Sequence, residues 1–306
     1  MAAKASRNKT IRLEKKQISN IVSSAIKLKN HTSPDEVINK IIWQDAFSAM
    51  DKMPDKCVDL MIVDPPYNLT KNFGNSTFHE MNNDDYAKWL DKWLKKTVRI
   101  LKDDASVYIC SDWKTSIAIP YIAGKYFVLQ NRISWEREKG RGAQNNWKNC
   151  LEDIWFFTKS KNYKFYLDRV KVLREVIAPY RNTEGNPKDW FEKGNKKMRL
   201  THPSNVWTDI SVPFWSMAEN TDHPTQKPEK LIAKLILASS DEGDVVFDPF
   251  LGSGTTAVVA KKLNRKFIGI EKEKEYIALA LTRLEMANEN TQIQGFEDGI
   301  FKPRNM

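Results

Sequence analysis

The chain has 306 residues, of which 41% are hydrophobic, and a formal net charge of +10. It is long enough to bury a full core and too apolar to be a disordered polyelectrolyte, and no apolar run approaches the ~20 residues of a membrane-spanning helix. Three cysteines (Cys57, Cys110 and Cys150) without CxxC spacing, and only four histidines, argue against a zinc site and for free thiols in a reducing compartment.

The positive charge is clustered. Met1 to Asn30 holds eight Lys and Arg against the single acid Glu14, and Lys139 to Arg199 holds fifteen against seven acids. Two basic blocks in an otherwise acidic chain suit a polyanion, most simply nucleic acid, although a solvated surface has the same composition. The first block has no apolar signal-peptide core, so a cytoplasmic location is expected. It reads as a frayed basic extension leading into a helix (Ile18, Ile21, Val22, Ala25). Ser33-Pro34-Asp35-Glu36 then starts a helix by capping box, with an expected end near Ile42. Asp45 precedes another helix, where an N-cap is the plain reading.

Val58 to Asn68 is the centre of the pattern. An apolar run ends at Asp64-Pro65-Pro66-Tyr67. The run reads as a buried parallel strand, and proline cannot continue a sheet ladder. Asp64 and Tyr67 are therefore expected on a stiff turn at a strand's carboxyl end, where α/β sheets bind ligands. An ordinary Pro-Pro turn has the same look. Asn68 to Asn83 is a long polar loop of the kind that forms lids. Asp84 to Leu101 is a helix whose Tyr86, Trp89, Leu90, Trp93 and Leu94 are expected in the core. Strands are expected at Ser106–Cys110, Tyr126–Trp135 and Asp153–Thr158.

Lys159 to Asn220 shows neither a helix nor a strand period. It interleaves Lys and Arg with Tyr163, Tyr166, Tyr180, Trp190, Trp207 and Trp215. That mixture suits a nucleic-acid face, and an irregular insertion with its own small core fits equally. Candidate contacts to DNA are Arg141, Lys161, Lys164, Lys196, Lys197 and Arg199. After the turn Asp222 to Pro228 and a helix Glu229–Ser239 comes a compact unit. Val245-Val246-Phe247-Asp248 is a strand, Pro249 to Gly254 a Gly-rich turn opening a helix, and Phe267-Ile268-Gly269-Ile270-Glu271 a second strand. The glycines admit a ligand close to the backbone and the helix start favours a negative group. Glu271, seventeen residues after Gly254, stands near the ~20-residue offset of an acid that holds a ribose diol. This unit alone serves a dinucleotide or S-adenosylmethionine. The tail from Glu285 is helical at first, then polar, and looks disposable.

Together these segments resemble the amino-directed, adenine-specific DNA methyltransferases in the permuted order called the β class. There the Asp-Pro-Pro-Tyr turn precedes the recognition region, and the Asp-Pro-Phe-x-Gly-x-Gly turn comes last. Here Asp64 and Asp248 are 184 residues apart in that order. The resemblance implies a Rossmann-like, circularly permuted α/β methyltransferase sheet with an inserted target-recognition region. The implied division is 1–30 basic extension, 31–158 catalytic part, 159–221 recognition, 222–285 cofactor part and 286–306 tail. It also implies S-adenosyl-L-methionine as cofactor, no metal, and methylation of the 6-amino group of adenine in double-stranded DNA. A cognate restriction endonuclease and a homodimer are partners of the kind such enzymes have. Asp64, Pro65, Pro66 and Tyr67 match the catalytic turn, where an acceptor localises the amine lone pair and Tyr67 stacks on the base. Asp248, Phe250, Gly252, Gly254 and Thr255 match the methionine-side pocket, Glu271 the ribose ligand, and Asp45 and Ala46 the adenine contact. His223, Thr225 and Lys227 match contacts to the cofactor's amino-acid end.

Three rival readings stand beside this one. Transfer to the 4-amino group of cytosine uses the same geometry, more often with serine where this chain has Asp64. An NAD-dependent oxidoreductase would leave the Asp-Pro-Pro-Tyr turn unexplained. A non-catalytic DNA-binding module would leave both turns so. None of the cysteines follows a proline, so the nucleophile of carbon-5 cytosine methyltransferases is missing.

Overall fold

The computed structural model describes residues 7–137, 144–177 and 179–304. In chain order, helix α1 (Lys15–Ile21) and the one-turn α2 (Pro34–Val37) lead to strand β1 (Lys40–Trp43), α3 (Ala46–Met50) and β2 (Val58–Val63). A hairpin of β3 (Lys71–Phe73) and β4 (Ser76–Phe78) follows, then α4 (Asn83–Ile100), β5 (Leu101–Ser111), α5 (Ile119–Ala123), β6 (Val128–Glu136) and β7 (Leu151–Thr158). The next strands are β8 (Val172–Glu175), β9 (Phe191–Lys193), β10 (Lys196–Thr201) and β11 (Val206–Trp207). The chain closes with α6 (Glu229–Ser239), β12 (Val245–Asp248), α7 (Thr255–Lys262), β13 (Lys266–Glu271), α8 (Lys274–Glu289), β14 (Phe296–Glu297) and β15 (Ile300–Phe301).

Eight strands form the main sheet in the order β1-β13-β12-β2-β5-β7-β6-β11. The run from β1 to β5 is parallel; β7 pairs antiparallel with β5, and β6 antiparallel with β7, so β6 again points along the run. This is the α/β sheet expected from the sequence. Alternation along β2 explains its burial on both faces: Leu60 and Ile62 enter one core with Val246, whereas Met61 and Val63 enter the other with Phe247. Helices α6, α7 and α8 cover the first core, and α4 and α5 the second. Helix α4 starts where Asn82 accepts the Asp85 N–H at 2.9 Å, and it buries Tyr86, Leu90, Trp93 and Leu94.

Strands β2 and β12 are neighbours, with Leu60 opposite Val246 and Met61 opposite Phe247. The turns that follow them are therefore adjacent although Asp64 and Asp248 are 184 positions apart. Strand β13 lies beside β12 and β1 beside β13, so four carboxyl ends converge.

Four sequence expectations change. The helix from Pro34 stops at Val37 despite its capping box, because Asn39 turns left-handed (φ 59°) and the β-branched Ile41 and Ile42 pair with β13 instead. Lys159–Asn220 is not irregular throughout. Within it β8, β10 and β9 belong to a second sheet, ordered β14-β15-β8-β10-β9. The first two members of that order come from the supposedly disposable tail. Phe301 pairs with Val172 and is fully buried, and Lys230 donates to the Lys302 carbonyl. The basic start also docks: Lys9 N–H donates to Trp215 O, Ile11 N–H to Asn220 O, and Ile26 bridges to Ile42 beside β1. Among the described residues no helix is long and apolar enough to cross a membrane.

Candidate active site

A cavity of about 260 Å³ opens where the four strand ends converge. Asp64, Pro65, Pro66 and Tyr67 line it from the end of β2, and Asp248, Phe250, Gly252 and Thr255 from the end of β12. Glu271 stands at the end of β13, Asp45 and Ala46 just after β1, and His223, Thr225 and Lys227 on the segment before α6. The Asn68–Asn83 loop roofs the cavity through Lys71, Phe73 and Ser76 to Phe78. Its base is tied by Asn68, which donates to Met81 O and accepts from Met81 N, both at 2.8 Å. Its tip is pinned to the start of α8, where Gly74 N–H donates to Tyr276 Oη and Asn75 N–H to Glu273 Oε2, each at 3.1 Å.

The β12 turn is held by backbone donors. Asp248 is buried; Oδ1 accepts from Phe250 N and Oδ2 from the Thr256 hydroxyl. Burial pushes its carboxyl up to about 7. Glu271 accepts from Gly252 N, Lys272 N and Glu273 N, all at 2.8 Å. Burial raises its pKa, and those bonds oppose the rise. Gly252 needs its positive φ of 54°, and a Cβ there would lie 2.9 Å from His223 Nε2. His223 Nδ1 accepts from Thr225 N, while burial and then the charge of Lys227 push the imidazole down to about 3. The ring is therefore neutral. Asp45 caps α3 through Phe47 N and Ser48 N and also lines the cavity.

The β2 turn is held by charged side chains. Lys227 Nζ donates to Asp64 Oδ2 at 2.7 Å and to the Tyr67 hydroxyl at 3.1 Å. Glu152 Oε2 accepts from the Tyr67 hydroxyl at 3.3 Å and faces Lys227 at the same distance; its Oε1 pairs with Arg137 at 2.7 Å. Asp64 Oδ1 is buried without a hydrogen-bond partner among the described residues. The Asp64 carboxyl is raised, by burial above all, and Lys227 offsets part of that rise; burial lowers the Lys227 ammonium, but Asp64 and Glu152 outweigh that and raise it. Tyr67 is raised well above its ordinary value by burial, so its hydroxyl stays protonated.

Two placements differ from expectation. Gly254 does not line the cavity: its left-handed φ of 86° opens α7, and a Cβ would meet Ala280 Cβ at 2.6 Å, so it serves the packing of α7 on α8. Lys227, expected at the cofactor's amino-acid end, bonds Asp64 and Tyr67 of the β2 turn. Sequence reading also missed Glu152, Trp89 and Tyr276. Glu152 could have been found, because it takes the buried phase of β7 with Ile154 and Phe156, where a charge is out of place. Trp89 was assigned to the core with Trp93; it lines the cavity and packs against Phe250 at 5.8 Å between ring centroids.

The nominated DNA contacts among the described residues, Lys161, Lys164, Lys196, Lys197 and Arg199, lie away from the cavity lining. Lys164 bonds Asp244 Oδ2 at 2.7 Å and faces Asp241, so its charge is already matched within the fold. Lys196 pairs with Glu175 and Arg199 with Asp189. Lys161 and Lys197 are exposed, the latter 5.1 Å above the Trp190 ring. Arg141 falls outside the described residues.

The profile of the DNA methylase family matches residues 58–282. The type II methyltransferase M.HpaI of Haemophilus parainfluenzae is 36% identical over 267 residues, 84% of this chain and 76% of that protein. The DNA adenine methyltransferase YhdJ of Escherichia coli (strain K12) is 36% identical over 255 residues, 81% of this chain and 83% of that one. Among solved structures, M1.HpyAVI in complex with SAM aligns with a TM-score of 0.51 at 22% identity, covering 80% of this chain and 98% of that chain.

Proposed function

The chain belongs to the DNA methylase family, and from that membership we propose that it methylates the 6-amino group of adenine in double-stranded DNA, with S-adenosyl-L-methionine as donor. One observation carries the reading: an acid-Pro-Pro-Tyr turn and a Gly-rich nucleotide turn form two walls of a single cavity. Aspartate at position 64, rather than serine, favours adenine over the 4-amino group of cytosine.

The residues present fit the donor. Three backbone N–H groups occupy Glu271, and a carboxylate offers about four acceptor sites, so one remains for a ribose hydroxyl. Asp45 and Ala46 would bound the adenine end, and Phe250 with Trp89 gives an aromatic wall. The space kept open at Gly252, beside neutral His223 and Thr225, would admit the amino-acid end. When bound, the donor supplies an electrophilic methyl on its sulfonium.

The protein's own part is placement. A base inside a duplex cannot reach this depth and must be extruded, at a cost of a few kcal/mol. Stacking on Tyr67, worth about 1–3 kcal/mol, offsets part of it, and the Tyr67 ring is fixed through its hydroxyl by Lys227 and Glu152. Asp64 Oδ1 and the Pro65 carbonyl accept the amine protons and free its lone pair. Oδ1 is then the nearest base for the proton that the methylated amine sheds. Holding both reactants in line replaces covalent catalysis.

The second sheet and its loops are the proposed recognition region, and the two exposed lysines its first phosphate contacts. A place in a restriction–modification system, with a cognate endonuclease, in the bacterial cytoplasm and as a homodimer, completes the proposal. The test is incubation with methyl-labelled S-adenosyl-L-methionine and mixed-sequence DNA, followed by nucleoside analysis. Label on 6-methyladenine supports the reading, and label on cytosine or no label overturns it.

A further inference from the structure

Sequence resemblance put Lys227 against the cofactor, yet its ammonium is bonded to Asp64 and Tyr67. We propose that Lys227 is a positioning residue for the transfer, on the reading just given: it holds Asp64 ionised and turned so that one carboxylate oxygen is left for the target amine.

The geometry is specific. Asp64 Oδ2 is taken by Lys227, whereas Oδ1 is buried and has no hydrogen-bond partner among the described residues. A charge-assisted bond of 2.7 Å fixes the carboxylate about its side-chain torsions, so the choice between its oxygens is already made. The lysine itself stands on a rigid base. Its neighbour Gln226 accepts from Thr221 N and Oγ1 and donates to Glu219 O, and Pro228 caps α6. Only 8% of the Lys227 side chain is exposed, so the ammonium cannot trade its partners for water.

Charge balance points the same way. Asp64 faces Lys227, Glu152 and Tyr67, with Cys110, Tyr86 and Asp248 further out. Lys227 is the cation that two carboxylates share, while Arg137 pairs with the far oxygen of Glu152. Without Lys227, two like charges would face each other with little water, and one of them would take up a proton. A protonated Asp64 no longer activates an amine by accepting from it.

The test is single-turnover methylation of duplex DNA at saturating donor as a function of pH, with donor Kd measured in parallel. Lys227→Met should slow the step by roughly 10²-fold, the size expected when a reacting group is misplaced by about 1 Å. Donor Kd should not change, and the acid limb should move up by about 1–3 pH units. Lys227→Arg should restore part of the rate and bring the limb back. Glu152→Gln removes a like charge and should move the limb the opposite way, and it decides the matter alone if Lys227→Met fails to fold. Acid limbs that stay in place, or a Lys227→Met that loses donor affinity but keeps its rate at saturation, would overturn the proposal. A wild-type protein that leaves adenine unlabelled would instead overturn the reading it rests on.

Discussion

The two turns that meet in the cavity are built from different materials. After β12 the acids are satisfied by backbone: Asp248 by Phe250 N and a neighbouring hydroxyl, Glu271 by three N–H groups. After β2 the acid depends on a side-chain cation 163 positions away, and one of its oxygens has no hydrogen-bond partner among the described residues. Backbone donors are fixed by the fold, so the first wall is ready before any ligand arrives. The second wall is an electrostatic balance among four side chains, Asp64, Lys227, Glu152 and Arg137, and one charge removed shifts the rest. The first suits holding a cofactor, the second handling a proton.

The largest effect that sharpens this contrast is at Asp64. Asp64→Ala should reduce turnover by at least roughly 10²–10³-fold with donor affinity retained, measured by single turnover and calorimetry. Retained turnover with lost affinity would erase the division between the walls. Next is Asp248→Asn. A carboxyl raised from an ordinary 3.8 to about 7 by burial costs the fold nothing below the lower value. It costs progressively more as pH rises toward 7 and a constant amount above. The asparagine variant should therefore gain on wild type across that window, by on the order of 1–4 kcal/mol at neutral pH, in denaturation series from pH 4 to 8.

Gly252→Val tests the first wall directly. A left-handed φ in a β-branched residue and a Cβ at 2.9 Å from His223 should cost about 1–3 kcal/mol, seen as weakened donor binding. The smallest effect is on the far surface. Lys161→Ala with Lys197→Ala should lower the slope of log affinity against log salt by about one unit per lysine that meets a phosphate. Lys164→Ala should leave the slope alone and lower the melting temperature, because its ammonium is held by Asp241 and Asp244.

What could be read in the sequence follows the same division. Both turns were legible because proline and glycine act locally: Pro65 and Pro66 end β2 wherever it sits, and a positive φ needs Gly252. The strand β2 was legible from its unbroken apolar run. Gly254 was assigned by pattern to the ligand, though its constraint comes from Ala280 on another helix. Lys227 and Glu152 could not be placed together, because only the pairing of β2, β5 and β7 brings Glu152 to the turn. The second sheet was illegible for a related reason. Its strands are two to six residues long, and β15 reaches β8 from more than a hundred residues away, so no window of sequence carries a period. The polar look of the tail concealed Phe301, one buried anchor in a short stretch.

The pairing of Leu60 with Val246 sets a strict tolerance on the chemistry. Side chains alternate between faces at every step, so a single residue inserted into either strand would exchange its two faces. Asp64 would then point away from the partner that orients it, with every motif letter intact. A ladder of main-chain hydrogen bonds thus acts as the gauge that aligns donor and acceptor, and variation in length should be tolerated before and after these strands but not within them.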